Sequence, residues 1–163
     1  LPWLLILMVA YVFTGKIISN FEGQLSDYTN LITYMPMLMG TGGNTGSQAA
    51  TLIIRGLATD EVEPHDFLKI LWKEIRVGVI TILSIINFAR IYFFEGVPFS
   101  QTITVCTSMI GIVVFAKILG SMIPLIVKKL NLDPALIANP AISSVSDAVA
   151  LSIYFLMAGI FVF

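Results

Sequence analysis

The chain is 163 residues long, 57% hydrophobic and only 12% charged, with a formal net charge of −1 and a mean hydropathy of +0.93. A soluble domain carries roughly 25% charged residues, so this composition excludes an ordinary soluble fold and places the chain in a membrane. The near-zero net charge names no partner and no nucleic acid is expected, while a single cysteine, Cys106, excludes an internal disulfide or a cysteine metal cluster.

Five apolar segments follow one another. A spanning helix needs ~20 mainly apolar residues, and long runs favour helices over the short alternating strands of a membrane barrel. The first segment runs from about Pro2 to Ile18, with Lys16 near its end. It has no basic leader or small-residue cleavage site, so it is not read as a signal peptide. The opening Leu1-Pro2-Trp3 raises the expectation of a domain excised from a longer protein. A polar, acidic connection follows, from Phe21 to Asn30. The second segment, about Leu31 to Leu57, is expected to be broken by Pro36 and by the run from Gly40 to Gly46. The third covers about Leu71 to Phe94, the fourth about Thr102 to Val127 with Lys117 inside it, and the fifth about Pro134 to Phe163. Between them, Glu63-Pro64 and Asp133-Pro134 read as helix starts, with the acidic residue capping and proline in the first turn. Glu95-Gly96-Val97-Pro98 reads as a tight turn. The expected fold class is therefore an all-α integral membrane protein with five transmembrane helices.

Basic residues set the expected orientation. Arg55, Lys69, Lys73, Arg76, Lys128 and Lys129 fall on one side, against Lys16 and Arg90 on the other. The positive-inside rule then puts the N-terminus in the cytosol and the C-terminus outside.

The fifth segment carries the chemistry. Asp147 stands in a nearly uncharged stretch, where a carboxylate is costly unless it lines a water-filled path or meets a partner. Asn139, Ser143 and Asp147 are spaced by four and share a helix face. Pro140 removes a backbone donor, which frees a preceding carbonyl. This set of carboxylate, amide, hydroxyl and carbonyl oxygens suits a hard cation. The alternative is a structural Asp147 paired with Lys117 or Arg90. In the second segment, glycines allow close backbone approach or exposed carbonyls, and Asn44, Gln48 and Thr51 share a face. The run is no phosphate loop, because no Gly-Lys-Ser/Thr follows it. A lysine in a cation path repels the ion, so Lys117 is expected away from the path. His65 and the acidic cluster of Asp60, Glu61, Glu63 and Asp66 read as a solvated loop. With one histidine outside the spans, no HExxH and a lone intramembrane aspartate, no enzyme is expected.

Two stretches, PMLMGTGGNTGSQAATLIIRGLAT over residues 36–59 and LDPALIANPAISSVSD over residues 132–147, closely resemble the transmembrane domain of the MgtE magnesium transporter and channel family. The resemblance covers essentially the whole chain, residues 1–163. It implies a pore-forming homodimer in the plasma membrane, with five spans per subunit, lipid around it and a cytosolic mouth. It also implies a cytosolic regulatory domain that is absent from this sequence. The family's pore aspartate falls on Asp147, its neighbouring carbonyl-bearing small residue on Ser143 and its asparagine of the narrow part on Asn139. The glycine and asparagine of its second span fall on Gly40 and Asn44, and Glu22 matches an acidic residue ending the first. Ala150 stands where a glycine is expected and Lys117 where the residue is often neutral, which leaves room for a shifted ion preference or different gating. The implied cargo is Mg2+, carried passively and largely hydrated, since magnesium dehydrates reluctantly. The same oxygen ligands also suit manganese, calcium and cobalt.

Overall fold

The computed structural model describes residues 2–61, 69, 72 and 83–163, and every regular element among them is helical. α1 spans Pro2–Leu25, α2 Thr29–Ala58, α3 Leu83–Ala89, α4 Phe99–Lys129 and α5 Pro134–Phe161; a π-helical turn, Arg90–Phe94, continues α3. The four long helices have 24, 30, 31 and 28 residues. At about 1.5 Å per residue each exceeds a hydrocarbon core of about 30 Å. α4 and the stretch Ala138–Phe161 of α5 are also apolar enough to cross a membrane, with mean hydropathies of 2.3 and 1.7 over their most apolar windows. The Glu63-Pro64 helix start, His65, Asp66, Lys73, Arg76 and much of the third segment lie outside the described residues.

Local chemistry accounts for the helix ends. Asp133 caps α5: the Ala135 backbone N–H donates to its carboxylate at 2.9 Å, and Pro134 occupies the first turn. Between α4 and α5 the chain reverses through Asn131, whose φ of +58° suits asparagine. The turn after the π-helical segment needs Gly96, at φ +64°.

Two expectations change. The connection expected over Phe21 to Asn30 shrinks to residues 26–28, because α1 continues to Leu25 and α2 starts at Thr29. Phe21 is held in the helix by stacking on Phe155, ring centroids 4.3 Å apart. The second segment is not broken. α2 runs through Pro36 and the whole glycine run as one helix. Pro36 lies only two turns into α2, and two glycines of that run, Gly42 and Gly46, pack closely against neighbouring helices.

Those neighbours fix the bundle. A Cβ on Gly120 of α4 would stand 2.2 Å from the carbonyl oxygen of Gly46. One on Gly46 would stand 2.7 Å from Ile142 of α5, and one on Gly42 2.9 Å from Ile112. Only glycine admits these approaches. Since Gly42 and Gly46 meet Ile112 and Ala116 in the same order, α2 and α4 run parallel. They meet Ser146 and Ile142 in reverse order, so α5 runs antiparallel to both. The large apolar cluster lies at the end of the bundle where α2 and α4 begin. It gathers Leu31, Leu38, Ile91, Val105, Leu151 and Tyr154, and the Tyr154 hydroxyl donates to the Leu31 carbonyl at 2.9 Å. A smaller cluster of Ala50, Ala138 and Ile142 closes the opposite end.

Candidate cation site

On α5, Asn139 is exposed and Ser143 and Asp147 are half-buried, so the stripe spaced by four is present as one partly open strip. Asp147 makes no hydrogen bond or ion pair with any described residue. Arg90, one of its two candidate partners, is engaged elsewhere: its guanidinium pairs with Glu95 and reaches Asn87 Oδ1 at 3.4 Å. Glu95 in turn accepts from the Tyr34 hydroxyl. This cluster ties α2 to the turn before α4 and leaves the structural pairing of Asp147 with Arg90 without support.

Beside the strip, Ser146 faces the other way. It is buried, and its Oγ has no hydrogen-bond partner among the described residues, standing 3.5 Å from the position of a Cβ on Gly46. Other α5 serines bond one turn back: Ser144 donates to the Pro140 carbonyl at 3.1 Å and Ser152 to the Ala148 carbonyl at 2.8 Å. Ser146 marks the seam with α2, so Asp147, one residue on and about 100° around the helix, sits at the edge of that seam.

On α2, Gly40 and Asn44 lie about 160° around the helix from Gly42, on the side turned away from the seam. Both are exposed, and a Cβ on Gly40 would meet nothing within 4 Å. Asn44 lines a cavity of about 710 Å3 with Ser47, Gln48, Thr51, Leu52 and Lys117. The expected shared face of Asn44, Gln48 and Thr51 is thus present. Ser47 joins it, which its i+3 spacing from Asn44 signals. The structure does not bring the two halves of the candidate set together: none of Asn139, Ser143 and Asp147 lines the cavity that holds Asn44. Lys117, expected away from the path, stands in the same cavity as Asn44. Among the described residues no three acidic, histidine or cysteine side chains gather to cage a metal. A cation here meets single carboxylates and neutral oxygens, an arrangement that suits an ion keeping its water.

The chain matches a family model described as a divalent cation transporter over residues 35–157. It is 40% identical over 154 residues to the magnesium transporter MgtE of Thermus thermophilus, a match covering 93% of this chain and 34% of that protein. It is 31% identical over 164 residues to the magnesium transporter MgtE of Bacillus subtilis, covering 99% and 36%. The Enterococcus faecalis magnesium transporter MgtE is 30% identical over 166 residues, again covering 99% and 36%. The chain spans about a third of the length of these relatives. The apolar helices, the glycine seam and this likeness together place it: the chain is a membrane protein that belongs to the MgtE family of divalent cation transporters.

Proposed function

We propose that this chain carries Mg2+ across the plasma membrane by a passive, channel-like path, with Asp147 as its central anionic group. The observation that carries the reading is the state of Asp147: a half-buried carboxylate on an apolar helix, in no ion pair with a described residue, with Ser143 and Asn139 on the same strip. Relatives named magnesium transporters supply the choice of ion.

In this reading the ion stays largely hydrated. The Asp147 carboxylate accepts hydrogen bonds from its water shell, and Ser143 and Asn139 oxygens continue that contact along α5. Gly40, with open space where a side chain would stand, and Asn44 extend a polar surface on α2. A monomer would expose these half-open polar strips to lipid, where they are costly. A two-fold homodimer buries them and brings two copies of Asp147 near one axis, C2 being the commonest closed symmetry. Five spans per subunit, a cytosolic N-terminus and an outer C-terminus complete the proposal. The parallel course of α2 and α4 and the antiparallel course of α5 support such an alternation. In the full-length protein a cytosolic domain regulates the path.

The test is Mg2+ uptake into liposomes that hold the purified protein and a magnesium-sensitive dye. Wild type conducts, and Asp147→Asn, which keeps the shape and removes the charge, loses most of the flux while keeping its elution profile. Equal flux in both proteins contradicts the role of Asp147. No flux in wild type, beside an active relative, replaces the transporter with a non-conducting membrane scaffold.

A further inference from the structure

Ser143 and Asp147 each follow directly on a residue of the α2 seam. Those two seam residues, Ile142 and Ser146, are buried. They are spaced by four, as the site residues are, and form a ridge on α5 about 100° around the helix from the candidate strip. A Cβ on Gly46 would stand 2.7 Å from Ile142 Cγ2, 3.5 Å from Ser146 Oγ and 3.2 Å from the Ala116 carbonyl oxygen of α4. The bare backbone at Gly46 is thus the surface on which both ridge residues rest. Neither close contact gives way easily. Cγ2 is carried on the branched β-carbon of Ile142, which has one strongly preferred rotamer in a helix, and the Ala116 oxygen is backbone. Ser146 shows that shape, not hydrogen bonding, holds this contact: its buried Oγ has no hydrogen-bond partner among the described residues.

We propose that Gly46 is a positioning residue for the cation path: by seating α5 directly on α2 backbone, it sets the rotation and distance at which α5 presents Ser143 and Asp147. The proposal rests on the cation-path reading of the previous subsection, in which Asp147 holds the hydrated ion and α2 supplies a second polar surface. A methyl group at Gly46 lifts α5 off α2 by about 1 Å, the gap between 2.7 Å and an ordinary carbon–carbon contact of about 3.5–4.0 Å. Ser143 and Asp147 move with the ridge beside them. For Mg2+ held through one water layer, about 5 Å from the carboxylate, a retreat of about 1 Å weakens the attraction. Effective dielectrics of about 80 and about 20 give a rise in half-saturating Mg2+ of roughly 1.6-fold to sixfold. Gly42, one turn earlier on the same face, supplies the matched control. A Cβ there would stand 2.9 Å from Ile112 Cγ2 of α4, but 3.8 Å and 3.9 Å from Ser146 and Ala150 of α5, which is ordinary contact.

The experiment measures the Mg2+ concentration for half-maximal uptake, separately from maximal flux, in liposomes holding wild type, Gly46→Ala, Gly42→Ala, Ile142→Leu or the double variant Gly46→Ala/Ile142→Leu. Gly46→Ala raises the half-saturating concentration by a factor in that range. Gly42→Ala, which crowds α4 with a methyl group of the same size, loses stability and keeps the wild-type value. Ile142→Leu moves the branch off the β-carbon and withdraws Cγ2 from Gly46. This swap usually costs little stability, but it unseats α5 and also raises the half-saturating concentration. The double variant exchanges one methyl group across the seam, from α5 to α2, and returns the value to that of wild type, a non-additivity expected only of residues in contact. Ile142→Leu decides the matter where Gly46→Ala fails to fold. A wild-type value in Gly46→Ala or in Ile142→Leu, an equal rise in Gly42→Ala and Gly46→Ala, or a double variant no better than Gly46→Ala overturns the proposal while leaving the cation path standing. Absence of wild-type uptake overturns the cation path, and the role of Gly46 with it.

Discussion

Gly120→Ala is the sharpest test of how the bundle is held. Its Cβ would stand 2.2 Å from the Gly46 carbonyl oxygen and 2.8 Å from the Ala49 Cβ. The clashing oxygen is backbone, so no side-chain rotation relieves it. α2 must move away from α4 by about 1 Å to restore an ordinary contact, which loosens the packing of Gly42 on Ile112 and of Gly46 on Ala116. Overpacking alone costs about 1–3 kcal/mol, and the backbone shift puts the expected loss at the top of that range, about 3 kcal/mol. For a chain of this size that is a fall in melting temperature of roughly 6–12 °C. Gly43→Ala is the matched control. Nothing lies within 4 Å of its Cβ position, so the higher helix propensity of alanine leaves stability unchanged or raises it by up to about 1 kcal/mol. Thermal unfolding of the detergent-solubilised protein, followed by the loss of its elution peak, separates the two. Equal melting temperatures for Gly120→Ala and Gly43→Ala would refute the close α2–α4 seam.

Further substitutions probe the ends of the helices. Tyr34→Phe removes the hydroxyl that donates to Glu95 and costs about 1.5–3 kcal/mol, as for a hydrogen bond to a charged group. Arg90→Gln, at a pair that is partly solvent-exposed, costs less than about 1 kcal/mol; the same melting assay ranks them, and the reverse order contradicts the reading of that cluster. Asp133→Ala removes the cap of α5 and costs about 1 kcal/mol, whereas Asp133→Asn keeps a capping oxygen and stays near wild type; equal losses in both would show that charge, not capping, matters there.

The sequence made some of this legible and hid the rest for physical reasons. The fourth and fifth segments emerged with nearly the observed limits, because long apolar runs and the Asp133-Pro134 start carry unambiguous signals. The Gly96 turn and the shared face of Asn44, Gln48 and Thr51 were legible from residue type and spacing alone. The unbroken α2 was not. Propensity treats Pro36 and a glycine run as breaks, but packing decides here, and the partners that fill the glycine grooves, Ile112, Gly120 and Ile142, are remote in sequence. Likewise the helical stretch from Phe21 to Leu25 depends on Phe155, a contact no local pattern encodes. Of the candidate site, the α5 strip followed from its spacing of four. The position of Lys117 did not, since periodicity gives the face of one helix and not which neighbour it turns towards. The π-helical turn at Arg90–Phe94 carried no sequence signal.

A crystal of the protein soaked in Mn2+ shows whether a divalent cation rests at Asp147. Manganese favours the same hard oxygen ligands as magnesium, and its anomalous scattering distinguishes a metal from a water. An anomalous peak is expected within one water layer of the Asp147 carboxylate, beside Ser143, and it disappears in Asp147→Asn. A peak that persists in the Asn variant, or manganese bound only elsewhere on the protein, would contradict it.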